Sequence, residues 1–507
     1  MKKEITLTLV FALLTSFCSY SQIEELQNWL TDNTTKRPNL ELLDFSKTAL
    51  TNSQADEVVD LLLADKQAQM LNTYGAQWDK RVLNYDNYVM PFFYQIFGNR
   101  PTSGRSLYIS LHGGGGGSAE ANNQQYENHK RLYDATMNNL EGVYIAMRAP
   151  TNTWNLWHQS HIDEFLNIII QMAVIKEGVD PNKVYILGYS AGGDGVYKLG
   201  PRLADRWAAA STMAGHPNDG SPYSLMNTPF AIHMGALDTA FNRNTVAAEW
   251  GVMLDDLQAN NPQGYKHDVQ IYEGLGHWMN LREAVALPWM SNYTRNPVPN
   301  KVAWKQDAQH HSNFYWLEVP EEHIESYGEV LVEYNSVQNE INILENYSSN
   351  IKININDSMI NLDNPVTVKF KGNVIFNGLL NRTIQNIYNS ITYKGDRNLA
   401  FSAVATVENN QRVLEENTTL SLDTVEEAFV KLEVFPNPVK SYININLSNK
   451  VFKKATVSIF DLHGRKVANY NMEYQTKKIN LSNLLSGTYF IKLETDNDTF
   501  TTKIIKN

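Results

Sequence analysis

The sequence predicts an α/β domain whose mainly parallel sheet is covered by helices on both faces, followed by a small antiparallel β domain and a C-terminal β-sandwich. Three observations predict this. Strand-like and helix-like runs alternate between about residues 86 and 300. Beyond Pro299 the pattern changes to a period of two with Asn-rich turns. A last set of short strands follows an acidic, polar stretch. With 507 residues, 43% hydrophobic, and 10 Trp, 26 Tyr and 19 Phe, the chain has apolar material for several cores. That aromatic content excludes global disorder, and the lack of a dominant repeat excludes collagen and coiled coil.

Residues 1–21 carry Lys2 and Lys3, an apolar run from Ile5 to Phe17 and small residues at Ser19 and Ser21. This is the layout of a secretory signal cleaved before Gln22. Lipidation at Cys18 is the alternative, and the bulky Phe17 before it speaks against that. Cys18 is the sole cysteine, so a mature chain would hold no disulfide, thiolate zinc site, iron–sulfur cluster or cysteine nucleophile. No later run approaches the roughly 18 apolar residues of a membrane span. The 43 Lys+Arg stand against 54 Asp+Glu without a basic cluster, a net charge of −11 that excludes electrostatic capture of nucleic acid.

Residues 22–85 have helical spacing, with Val58, Val59, Leu61, Leu62 and Leu63 among Asp56, Glu57, Asp60 and Asp65, and are expected to pack as a preface on the next domain. Within 86–300, Tyr88–Phe97 and Arg105–Leu111 are β-rich runs divided by the turn sequence GNRPTSG. Strands are expected at 143–146, 184–187, 230–234 and 268–272, and helices over 161–177, after Ser190 and over 245–257. Short alternating strands fill 301–405, introduced by Trp304, Phe314, Tyr315 and Trp316, which fit either a polymer-binding surface or a core. Residues 406–430 have the composition of a linker, and 431–507 return to short strands.

The strongest chemical signal is Gly188-Tyr189-Ser190-Ala191-Gly192, placed directly after an apolar strand and before a helix. Small residues around a serine permit the tight, strained turn that lifts Oγ above a sheet edge, and the helix start behind it offers a backbone N–H to a developing oxyanion. Upstream, the strand RSLYISL runs into His112 and five glycines. Such a loop lets backbone amides approach a reacting carbonyl, so Gly113 and Gly114 join Ala191 as candidate oxyanion donors. A phosphate-binding loop is the alternative, but neither Gly-Lys-Ser/Thr nor GxGxxG is present.

Chain order then asks for an acid after a late strand and a histidine after the last. Asp238 and His277 occupy those places, with Asp194, Asp219 and Asp255 as competing carboxylates. In this scheme His277 moves the proton of Ser190 and Asp238 holds the imidazole in its working tautomer. Trp154, Trp157, His158, His216 and Trp278 are candidate substrate-binding residues. His158 and His161 with Asp163 and Glu164 superficially suggest a metal cluster but fit a pocket rim or helix start better. His310 and His311 are adjacent, so on a strand they face opposite sides. No metal site and no cofactor is expected.

The segment DPNKVYILGYSAGGDGVYKLGPRLADRWAAASTMAGHPND, together with HGGGGGS, GALDTAFNRN and GLGHWM in the same order, resembles secreted α/β-hydrolases of the polyhydroxybutyrate depolymerase, feruloyl esterase and dienelactone hydrolase-like group. The resemblance spans about 105–290. It implies an α/β-hydrolase sheet and a cofactor-independent serine hydrolase of carboxylic esters, with Ser190, Asp238 and His277 carried over as the catalytic residues. The C-terminal VFPNPVKSYININL, VSIFDLHGRKV and INLSNLLSGTYFIKLETDNDTFTTKIIKN are similar to the type IX secretion sorting domain of Bacteroidetes. That likeness implies the type IX machinery as a partner and a chain that is secreted or attached to the cell surface. Export in turn suggests a large ester substrate, an esterified polysaccharide or a polyester. A serine peptidase on the same fold and a non-catalytic polysaccharide-binding protein are the alternatives.

Overall fold

The computed structural model describes residues 22–32, 36–414, 431–448, 455–462, 464–472, 476–495 and 499–507. The expected signal segment 1–21 and residues 415–430 of the expected linker lie outside them. The chain divides into two compact units, Met1–Thr419 and Leu420–Asn507.

The first unit is built on an eight-stranded sheet of β1 (Val82–Tyr85), β2 (Tyr88–Phe97), β3 (Arg105–Leu111), β4 (Gly142–Met147), β5 (Val179–Tyr189), β6 (Ala209–Met213), β7 (Phe230–Gly235) and β8 (His267–Tyr272). The spatial order is β1-β2-β4-β3-β5-β6-β7-β8. Pairing is antiparallel from β1 through β2 to β4 and parallel from there to β8. This is an α/β-hydrolase sheet. Its central strands are buried on both faces, which is why they read as unbroken apolar runs. Leu107, Ile109 and Leu111 pack with one layer of helices while the intervening Tyr108 packs with the other, as the alternation of a strand dictates.

Helices α1 (22–31) and α2 (Asn52–Asp79) precede the sheet. A capping box starts α2: Gln54 N–H donates to Thr51 Oγ1 at 3.3 Å and Thr51 N–H to Gln54 Oε1 at 2.8 Å. Next come α3 (Ala119–His129), α4 (Asp134–Met137), α5 (Ser160–Glu177), α6 (Ala191–Arg202), α7 (Arg243–Asn260), α8 (Ala286–Met290) and α9 (Ile384–Lys394). Helix α5 stops at Gly178, whose φ of +67° a side chain would resist. The layer of α5, α6 and α7 and that of α3, α4 and α8 cover opposite faces of the sheet. One correction concerns the helical preface. Its last residues form β1, because Asp86, with φ of +50°, turns the chain into a hairpin with β2. The preface also packs on more than the next domain, since Leu26, Trp29, Val58 and Leu62 share a core with Ile384, Ile387 and Ile391 of α9.

Residues 301–413 form two five-stranded sheets around a core that contains Trp304, Phe314, Tyr315 and Trp316. Those four aromatics are buried, which removes the polymer-binding alternative for them. The pairing is antiparallel except where 340–343 run parallel to 367–370. Strands Ala403–Glu408 and Arg412–Val413 carry the sheet into the stretch expected to be a linker, because the alternating Ala403, Ala405 and Val407 belong to this core. The second unit has a three-stranded and a four-stranded sheet around Ile443, Ile445, Val457, Ile459, Ile491, Leu493 and Ile504.

Candidate active site

Ser190 occupies the turn between β5 and α6 with φ of +58° and ψ of −120°, a strained conformation for a residue with a side chain. The neighbouring glycines make the turn possible. A Cβ on Gly188 would lie 2.2 Å from the Gly192 carbonyl oxygen, and one on Gly192 would lie 2.1 Å from the Leu111 carbonyl oxygen. The Ser190 amide donates to Met213 O of β6 at 2.8 Å, which ties the turn to the sheet.

Asp238 follows β7 and His277 follows β8, so parallel strands deliver both to the edge where Ser190 stands. His277 Nε2 lies 2.9 Å from Ser190 Oγ, and its Nδ1 lies 2.6 Å from Asp238 Oδ2. The Asp238 side chain is 2% exposed and that of His277 44%, so a sheltered carboxylate faces an accessible imidazole. The Tyr189 hydroxyl donates to the His277 carbonyl at 2.7 Å and accepts from the Met279 amide at 3.0 Å, which fixes the histidine loop to the residue beside Ser190. The competing carboxylates are engaged elsewhere. Asp194 accepts from the His216 amide at 2.6 Å, Asp219 pairs with Lys198 and Asp255 with His267.

The glycine loop lies against this turn. A Cβ on Gly113 would sit 3.2 Å from Ser190 Cβ, and Gly114, with φ of +112°, lines the cavity together with Ser190 and Ala191. Two side chains that sequence reasoning did not single out hold the loop. Asn122 accepts from the Gly115 amide at 3.0 Å and returns its own amide to Gly115 O at 2.9 Å. His112 is wholly buried; its Nδ1 bonds Gly113 O at 2.5 Å and its Nε2 accepts from the Ala149 amide. Burial pushes the His112 pKa down to about 3, so the ring is neutral with the proton on Nδ1. The five-glycine run marks the loop, but nothing in its spacing announces these partners.

A cavity of about 650 Å³ opens over Ser190, lined by Gly114, Trp154, Asn155, His158, Ala191, Asp194, His216, Asn218, Phe241 and Arg243. Trp154 lies against Gly115 and Gly116 and is 70% exposed; Phe241 is 68% exposed. His158 and His216 are thus on the wall, and burial lowers the His158 pKa to about 4. Trp278 is half exposed beside Tyr189, with ring centroids 5.7 Å apart, and is not part of the lining. Trp157 is a correction: it is fully buried, donates its indole N–H to His112 O at 2.9 Å and belongs to the core beneath the loop. Phe241 and Arg243 line the cavity although the sequence did not single them out.

His161 stacks on Tyr88 at 3.7 Å, and Asp163 is held by Arg202 and His311. Among the described residues no three His, Cys, Asp or Glu side chains converge as a metal site would need, and no helix is long and apolar enough to cross a membrane.

Residues 433–507 match the family of the secretion system C-terminal sorting domain. That domain directs the chain through type IX secretion to the cell surface or the extracellular space. No curated protein matches the chain. Among solved structures it is similar to a thermostable esterase, at 18% identity over 43% of this chain with a TM-score of 0.33, and spans 64% of that esterase's length. A carboxylesterase from Bacillus cereus is 18% identical over 40% of this chain and 94% of its own, with a TM-score of 0.30. A poly(3-hydroxybutyrate) depolymerase from Bordetella parapertussis is 14% identical over 41% and 86%, with a TM-score of 0.32.

Proposed function

We propose that this chain is an exported serine hydrolase that cleaves carboxylic esters through an acyl-enzyme on Ser190. The observation that carries the proposal is the unbroken hydrogen-bond chain from Ser190 Oγ through His277 to the buried Asp238. Ser190 Oγ attacks the ester carbonyl carbon while His277 Nε2 takes its proton. The carbonyl oxygen becomes an oxyanion beside the amides of Gly113 or Gly114 and Ala191. Collapse expels the alcohol, which receives the proton from His277 Nε2. Water then repeats the sequence on the acyl-enzyme, and the acid leaves. Asp238, accepting from Nδ1–H throughout, keeps Nε2 free to act as base and stabilises the imidazolium between steps.

Support for a bulky substrate comes from the open cavity with its exposed Trp154 and Phe241 and from the export address. Esterified polysaccharides and polyesters are the substrates to screen. The mature chain should hydrolyse short-chain 4-nitrophenyl esters, and folded Ser190→Ala should lose on the order of 10⁴-fold or more of kcat. Turnover of peptide amides in preference to esters would replace the proposal with a peptidase. Binding to insoluble polysaccharide without turnover of any ester would replace it with a binding protein.

A further inference from the structure

One cation of the cavity has no part in the chemistry above. Arg243 opens α7, five residues after Asp238, and lines the same cavity as Ser190, His216 and Phe241. Its guanidinium makes only loose contacts. Nη1 lies 3.7 Å from Asp238 Oδ1, beyond hydrogen-bonding distance, and Cζ lies 4.9 Å from the centre of the Phe241 ring. Nε is buried with no acceptor, and no described residue takes a hydrogen bond from this side chain. Two buried arginines of the same unit are closely ion-paired by contrast: Arg202 reaches Asp163 at 2.6 Å, and Arg295 reaches Asp396 at 2.5 Å.

Nor is the position favourable for a cation in the free protein, because the first turn of a helix is the positive end of its dipole. Two acids face the guanidinium, and both are committed: Asp238 to His277, and Asp194 to the His216 amide. Phe241 and Asn242 each hold φ of +56°, a strained pair that sets the aromatic ring and the guanidinium together at the cavity mouth. What remains is a planar fork of N–H donors, weakly hydrated and facing a substrate-sized cavity. A carboxylate matches that fork with two parallel hydrogen bonds.

Building on the assignment of Ser190 as nucleophile, we propose that Arg243 binds a carboxylate of the substrate, so that esters carrying a free carboxylate on the acyl or alcohol side are preferred over neutral esters of the same shape. A neutral ester leaves the buried donors unpaired, and a site built on hydrogen bonds discriminates strongly against a group that cannot make them.

The test uses the full mature chain and two pairs of chromogenic esters. 4-Nitrophenyl hydrogen glutarate against 4-nitrophenyl hexanoate probes the acyl side; 3-carboxy-4-nitrophenyl acetate against 4-nitrophenyl acetate probes the alcohol side. In at least one pair, kcat/KM should favour the carboxylate by about 10-fold or more. Arg243→Gln should bring that ratio to about one, and Arg243→Lys, a point charge without a fork, should keep part of it. Ratios at or below one in both pairs, or a ratio unchanged in Arg243→Gln, overturn the inference.

Loss of all ester turnover by the parent would instead overturn the assignment of Ser190. Calorimetry would then decide about Arg243 independently. Glutaramate binding about 10-fold tighter than hexanamide, with the difference removed by Arg243→Gln, supports the inference, and equal binding overturns it.

Discussion

The two β regions of this chain are built from the same kind of strand around apolar cores of their own, and they differ in the charge that accompanies those cores. Residues 301–413 are joined to the α/β domain by buried charge. Asp163 of α5 holds Arg202 at 2.6 Å and His311 at 2.9 Å, while Lys198 of α6 reaches Asp307 at 2.5 Å. Arg295 bonds Asp396 at 2.5 Å, and Lys394 of α9 pairs with Asp205. The C-terminal unit has a small aliphatic core of its own, and in the pairs Arg465–Asp461 and Lys492–Glu494 the basic side chain is exposed. A seam of buried ion pairs depends on every partner staying in place, whereas a small apolar core depends only on itself. The first arrangement fixes residues 301–413 against α5 and α6. Arg202 also donates to the His158 carbonyl at 3.1 Å, so the seam ends at the cavity wall.

Acid should separate the two units most sharply. In the first unit burial lowers the pKa of His112 to about 3 and those of His129, His158 and His233 to about 4. These rings stay neutral when folded, but unfolded histidine titrates near 6.5. The unfolded state therefore binds more protons between about pH 6.5 and 4, and stability falls as the pH drops through that window, by roughly 5 kcal/mol per pH unit at most if all four contribute. The C-terminal unit, Leu420–Asn507, has a single histidine in its sequence, His463, and holds none of these four. Calorimetric scans from pH 7 to pH 4 should show the larger transition falling well ahead of the smaller, and parallel decline of both would break the contrast.

Next in size is the seam itself. Burial alone would raise the Asp163 pKa, yet Arg202 and His311 hold it below the usual carboxylate range, so the carboxylate stays charged where ordinary carboxylates begin to protonate. Asp163→Ala takes the closer of two carboxylates from buried Arg202 and leaves it Asp307 at 3.5 Å, with an expected loss of about 3 kcal/mol. Thermal unfolding would measure it, and the C-terminal transition should not move. The smallest effect should follow removal of the C-terminal unit from Leu420 onward, with less than about 0.5 kcal/mol change in the first unit and the proposed ester hydrolysis retained. A large drop in either would show that the units depend on each other.

These regions also differ in how far the sequence exposed them. The turn at Ser190 was legible because its glycines answer a local demand, and the meeting of Asp238 and His277 with it because parallel strands fix the order in which loops reach one edge. Trp157 was misplaced because it lies three residues from the exposed Trp154, and only the packing beneath the glycine loop separates their fates. Arg243 and Phe241 reach the cavity through a backbone strained at Phe241 and Asn242, which neither residue type advertises. The seam was hidden for a related reason. Asp163 lies 148 residues from His311, and Asp205 lies 189 from Lys394, so each half reads as an ordinary solvated charge. β1 escaped notice because a four-residue strand carries too little alternation to stand out from the end of a helix.

The turn around Ser190 has a consequence for how the protein can change. Gly188 and Gly192 admit no side chain, Ser190 Oγ meets His277 Nε2, and the Tyr189 hydroxyl joins the His277 and Met279 backbone. Of the five consecutive positions, only Ala191 is free of such a demand, and it faces the cavity. Mutational drift can therefore reshape the cavity through that position and through the walls, while the turn itself has almost no viable single-step variants.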